Sequence, residues 1–322
     1  MRKIWTATLA VALAVATAVP AQASADFTLG LYPFTIGPAG VPAPTDPAYP
    51  KIVRSLDELQ GGHDRFGIRA YAHAGRDTMK PLLPYLGHGR KLNLVLVHDK
   101  DTFTPQTWLD FVRAQVRAAG PFASTISVGL DANLPEWVPW PIAQQDVIDG
   151  VRAAQQEARR LGYRDLRIGF DVAISPELPD LDFWKGFAAA GVRPDFVGAE
   201  VYPDVQVSQP GDHGKQALDW LTDLRENRMR LAGWGQSVPI MVVENGYADA
   251  GEHTPADQAA ALKAEFTAIR DNSRRLNIIG YDLFMLRDDP QDPGPFGHLG
   301  VLTNDFTPKP AWSTMRNLYR TV

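Results

Sequence analysis

Several short apolar runs of this sequence end in a residue able to do chemistry. The sharpest is Pro239–Glu244 (PIMVVE), where a carboxylate closes a run of core-type residues. A carboxylate in that setting is costly unless it has partners or a task, so Glu244 is the expected centre of an active site. At or just past the ends of similar runs stand Tyr32, Arg69, Tyr71, His73, His98, Asp99, Asp131, Asn133, Asp171, Glu200, Tyr202, Asn245, Asp282, Arg287 and Asp288. Carboxylates and histidines of this kind support acid–base and nucleophilic chemistry. His73, His98, Asp99 and Asp131 also raise metal-assisted hydrolysis. Their spacing argues against it, since no pair has the i, i+4 or His-x-His pattern of a firm metal site. No cofactor or metal is expected.

The elements that must position these residues follow from the runs themselves. Eight short apolar, β-branched stretches occur in order: Phe27–Tyr32, Gly67–Tyr71, Leu92–Val97, Thr125–Leu130, Arg167–Val172, Asp195–Val201, Pro239–Glu244 and Ile278–Phe284. Several lack clean alternation, as strands buried on both faces do. Helical patterns lie between them, at Thr107–Ala119, at Ala143–Leu161 before Gly162, at Leu218–Leu231, and over 255–275 with Thr254 as N-cap and Pro255 at the first helical position. Strands alternating with helices imply a parallel sheet. Eight of them predict a single closed (β/α)₈ barrel, with an open doubly wound sheet as the alternative. The turn after the first run, Pro33–Pro38, is no glycine-rich phosphate loop. The Pro-rich residues 37–50 read as a loop on the catalytic face. In a barrel that face lies at the C-terminal ends of the strands, where the candidate residues cluster.

The N-terminus reads as an address. Arg2 and Lys3 precede an uncharged, mostly apolar stretch from Ile4 to Val19, followed by Pro20 and small residues through Ala23 and Ala25. That is the pattern of a signal peptide over residues 1–25, cleaved near Ala23 or Ala25, leaving a secreted domain of residues 26–322 with no membrane contact. The chain has no cysteine, which excludes disulfides and thiolate metal sites. Its formal net charge of −5, with no basic tract, argues against a nucleic-acid partner. A monomer is expected.

The stretch Val242-Val243-Glu244-Asn245-Gly246-Tyr247 resembles the seventh-strand motif of the large clan of retaining glycosidases on (β/α)₈ barrels. Tyr281-Asp282-Leu283-Phe284 and Gly297–Trp312, with its Thr307-Pro308-Lys309-Pro310-Ala311 phrase, are similar to that clan's eighth strand and closing segment. The resemblance implies a glycoside hydrolase with Glu244 as nucleophile, Arg69 contacting it, and Tyr202 near the same carboxylate. Retaining chemistry needs a second carboxyl as acid/base, held about 5–5.5 Å away. Here the sequence departs from the clan's Asn-Glu on strand four, because Leu130 stands at the Asn and Asp131 at the Glu. Asp131 is shorter by about 1.5 Å, one C–C bond, and Leu130 has no group for a sugar 2-hydroxyl. Glu136 and Glu200 are the alternative acids. Trp137, Trp140 and Phe284 are candidate sugar platforms. His73, His98 and Asn133 are candidates for contacts to the carbohydrate. A carbohydrate-binding barrel without activity is the alternative function.

Overall fold

The computed structural model describes residues 27–35, 40–98, 102–134, 142–203 and 211–322. The expected signal peptide lies outside the described residues. Strands β1 (Thr28–Leu31), β2 (Phe66–Ala72), β3 (Arg90–Leu96), β4 (Ala123–Val128), β5 (Arg167–Ala173), β6 (Phe196–Val201), β7 (Ile240–Asn245) and β8 (Ile278–Leu283) pair in parallel in chain order. Strand β1 also pairs with β8, with Gly30 opposite Asp282, so the sheet closes on itself. The fold is therefore a (β/α)₈ barrel, and an open sheet is excluded. Every strand falls on the apolar run that marks it, with ends displaced by two residues at most.

Helices α1 (Tyr49–Gln60), α3 (Pro105–Ala119), α4 (Gln144–Leu161), α5 (Leu181–Ala190), α6 (His213–Asp223), α7 (Pro255–Asp271) and α8 (Pro310–Tyr319) accompany the strands. Between β2 and β3 the crossover shrinks to the four-residue α2 (Met79–Leu82) and a 3₁₀ turn. Local chemistry sets the boundaries. Thr254 and Asp257 form a reciprocal capping box at the start of α7, with Pro255 inside it. Gly162 ends α4 in the left-handed conformation, φ 76°. Two helices are shorter than the sequence pattern suggests. Helix α7 stops at Asp271, and a separate turn, Ser273–Leu276, follows. Helix α6 gives way at Leu224–Arg228 to a π-helical turn carrying two buried arginines. Arg225 donates to the carbonyls of Val238 and Leu276, and Arg228 to Asp180, so tertiary partners override the regular 3.6-residue repeat there.

Apolar side chains on the outer faces of the strands pack on the helices. Phe170 of β5 stacks on Phe187 of α5 with ring centroids 4.7 Å apart, and Phe183, Trp184 and Trp234 crowd around them. The interior is different, because carboxylates take part in it. An ideal Cβ on Gly30 would lie 1.9 Å from Asp282 Oδ1, and one on Gly198 would lie 2.0 Å from Asp171 Oδ1. Only glycine leaves room for those two side chains.

Lys309 fastens the upper rim. Its Nζ donates to Asp249 and to Asp288, each at 2.7 Å, joining the segments after β7 and β8 to the start of α8. That engages the Lys of the Thr-Pro-Lys-Pro-Ala phrase and places Asp288 in a structural ion pair. Among the described residues no helix is long and apolar enough to cross a membrane.

Candidate active site

Glu244 reaches the barrel mouth through an irregularity in β7. Ala199 of β6 pairs with Val242, but the next residue, Glu200, pairs with Glu244. Val243 is thus an extra residue on β7. Its side chain shares the interior with Asp171, next to Gly198. A bulge of this kind flips the parity of the strand, so Glu244 also faces inward although it directly follows an inward residue.

Its carboxylate is gripped on both oxygens. Oε1 accepts from Arg69 Nη2 at 2.6 Å, from Arg69 Nε at 3.0 Å and from the Tyr71 hydroxyl. Oε2 accepts from the Tyr202 hydroxyl at 2.7 Å. Burial and the Glu244 charge push the Tyr202 hydroxyl well above its usual range, which keeps it a donor. Arg69 Nη2 also donates to Asp171 Oδ2 at 3.0 Å, and Ser127 donates to Asp171 Oδ1 at 2.6 Å. Deeper in the barrel Asn93 donates to both oxygens of Asp282, at 2.8 and 3.1 Å. Burial pushes Asp171 up to about 6 against the pull of Arg69, and Asp282 up to about 7 against the bond from Asn93.

Asp131 follows β4 in the left-handed region, φ 46°, two residues after Gly129 at φ 97°. Asp tolerates that conformation better than most residues, and the bend turns its side chain towards β6. There its carboxyl lies within hydrogen-bonding reach of Glu200. Burial, followed by the charges of Asp131 and Glu244, pushes Glu200 well above the carboxylate range. Glu200 Oε1 is buried with no hydrogen-bond partner.

These groups converge on one cavity of about 410 Å³, lined by Tyr32, Tyr71, His73, Val97, Leu130, Asp131, Leu134, Glu200, Tyr202, Glu244, Phe284, Asp292 and Phe296. Tyr32 stacks on Phe284 at 4.8 Å, and Phe296 meets Tyr202 edge-on at 5.5 Å, giving a rigid aromatic wall. A second hollow of about 340 Å³ shares Tyr32, Tyr71 and His73 with the first and extends towards Arg76 and Asp77.

Of the residues expected from the sequence, Glu244, Asp131, Glu200, Tyr202, His73 and Phe284 line the cavity, and Arg69 lies beneath it on Glu244. Asn133 and His98 are not brought there. The Asn133 amide is engaged by the backbone of Ala173 and by Asp180. His98 sits in an aromatic cluster with Phe103 and Trp108 at about 5 Å. Asn245 faces outward, bonded to Val201, Glu265 and Tyr281. Arg287 lies over the Phe306 ring. Among the described residues no cluster of three or more His, Asp or Glu could hold an ion. Asp99, Glu136, Trp137 and Trp140 lie outside the described residues. No motif or spacing marks the wall residues Phe296 and Asp292, which lie in the loop after β8.

No protein-family model and no curated protein matches the sequence. Solved structures do match in shape. The GH5_18 protein from Streptomyces cattleya in complex with GlcNAc superposes with a TM-score of 0.65 at 15% identity, over 92% of this chain and 80% of that one. The GH5_18 protein from Bifidobacterium longum gives 0.63 at 14% identity, over 92% and 79%. The beta-glycosidase BGL167 gives 0.59 at 17%, over 85% and 86%. At such identities the likeness establishes the barrel fold.

Proposed function

We propose that this protein is a secreted glycoside hydrolase that cleaves its substrate with retention, using Glu244 as nucleophile. The observation that carries the reading is the Glu244 carboxylate, fixed from both sides by Arg69, Tyr71 and Tyr202 at the floor of a cavity walled by aromatic rings. A nucleophile must be held at one angle to the anomeric carbon, and donors locked by packing achieve that. The guanidinium supplies the counter-charge. Flat rings suit the apolar C–H faces of a sugar, while the carboxylates and His73 suit its hydroxyls. Similarly folded proteins carry sugars: one GH5_18 variant is in complex with Manb1-4GlcNAc. Export is proposed from Arg2, Lys3 and the apolar run after them.

The cycle has two halves. Glu244 attacks the anomeric carbon while an acid protonates the leaving oxygen, and water then releases the sugar from the resulting ester. Intact mass after incubation with dinitrophenyl 2-fluoro-glycosides of glucose, mannose, galactose and xylose tests this. Such leaving groups need little acid, so the nucleophile is probed alone. The expected result is a mass gain on Glu244 with one of the sugars, absent from Glu244→Gln. One observation favours a second reading, a sugar-binding barrel without turnover: Leu130 lines the cavity where the resemblance calls for Asn. Saturable glycan binding with no label from any sugar would select that reading.

A further inference from the structure

We propose that the acid/base of this site is a carboxyl pair, Glu200 with Asp131, which reach each other from β6 and β4 and hold one proton between them. The proposal rests on the reading of Glu244 as nucleophile. It replaces a single strand-four glutamate by two shorter reaches that meet.

Ionised carboxylates only accept hydrogen bonds, so a bond between two carboxyls requires a proton on one of them. Glu200 and Asp131 come within hydrogen-bonding reach of each other and line the same cavity as Glu244. Glu200 is also the register partner of Glu244 on the adjacent strand. Neighbouring strands run about 4.8 Å apart, so two side chains that enter one cavity from paired positions can reach the same substrate atoms. Glu200 Oε1 is buried and accepts from no donor, whereas both oxygens of Glu244 are taken. Burying a polar atom without a partner is expensive, and a group that must exchange a proton with substrate and water needs one position left open. The turn at Asp131 fits the same picture, because its left-handed backbone swings the short side chain to Glu200.

The charges balance over the reaction. At the start Glu244 carries one negative charge and the pair carries one. As Glu244 bonds to the anomeric carbon and the bond to the leaving oxygen breaks, the shared proton passes to that oxygen and the alcohol departs. Glu244 is then a neutral ester, and the pair carries two negative charges. The three carboxyls together hold two charges before and after. Loss of the Glu244 charge is what lets its neighbours give up their proton, since that charge is among the forces raising Glu200. Water then attacks the anomeric carbon, one of its protons returns to the pair, and Glu244 leaves as a carboxylate.

The test compares Glu200→Gln, Asp131→Asn and the double variant on methyl and dinitrophenyl glycosides of the sugar that labels Glu244. Each single change should lower kcat/KM on the methyl glycoside by about 10²–10⁴-fold and on the dinitrophenyl glycoside far less. The alkaline limb of the pH profile should vanish, and added azide should yield a glycosyl azide. The double variant should lose no more than either single one, as members of one unit do. Asp131→Asn gives an arm that leaves β6 intact should Glu200→Gln fail to fold. Wild-type rates in the variants, equal losses on both leaving groups with an unchanged pH profile, or additive losses would each overturn the pair while the Glu244 label stands. No label on the wild type would remove the nucleophile and the pair with it.

Discussion

Glu244 and Glu200 face each other on adjacent strands, 5% and 3% exposed, and their surroundings differ in every other respect. Glu244 has a guanidinium and two tyrosine hydroxyls on its oxygens. Glu200 has the Asp131 carboxyl beside it and no donor on its buried Oε1. Burial alone therefore assigns no role. What separates the two is the Arg69 guanidinium, which sits on Glu244. The mechanism proposed above uses such a contrast, with a counter-charge at the attacking carboxylate and none at the acid.

Removing that cation should produce the largest effect. Arg69→Met leaves Glu244 and Asp171 buried beside each other without a counter-charge, and should cost about 3–5 kcal/mol of stability and abolish labelling of Glu244. Urea unfolding measures the first and intact mass the second. A variant as stable as wild type would show that the guanidinium does not set the contrast.

Asp282 shows what burial does to a carboxyl with no cation in contact. Its folded value of about 7 lies above the ordinary 3.8. Between those values the folded chain holds a proton that the unfolded chain has released, so this group's contribution is greatest below about pH 4 and is lost as pH rises towards 7. Asp171 acts in the same direction up to about 6. Asp282→Asn removes its share, so the variant should gain on wild type from pH 4 to pH 7, by a few kcal/mol at most. Urea titrations at three pH values would reveal it, and a difference independent of pH would refute it.

The finest probe is Tyr202→Phe, which frees one oxygen of Glu244 and moves that residue a step towards the condition of Glu200. We expect kcat/KM to fall roughly 10–100-fold, about 1.4–2.7 kcal/mol, with little change in melting temperature. An unchanged rate would mean that Arg69 and Tyr71 suffice to hold Glu244.

The barrel was legible in the sequence because strands buried on both faces leave contiguous apolar runs, and a run's last residue marks the mouth. Glu244 could be found that way, and Arg69 and Tyr202 through the resemblance. The rest depends on partners distant in sequence. Arg69 and Glu244 are 175 residues apart, Asn93 and Asp282 189 apart, and no local spacing reports such pairs. Asn133 misled because a polar residue past a strand serves equally well to tie down a loop, as its bonds to Ala173 and Asp180 do. The approach of Asp131 to Glu200 depends on a left-handed turn that composition does not announce.

The glycines opposite the buried carboxylates have a consequence for how this barrel can change. A methyl group on Gly30 collides with Asp282, while shortening Asp282 alone opens a void and strands the Asn93 amide. Each single step is harmful, yet exchanging both residues at once could refill the space. Gly30 and Asp282, like Gly198 and Asp171, thus form epistatic couples. A library that randomises one position at a time would score both glycines as immutable, and only paired replacement would show how much of the polar interior the chemistry needs.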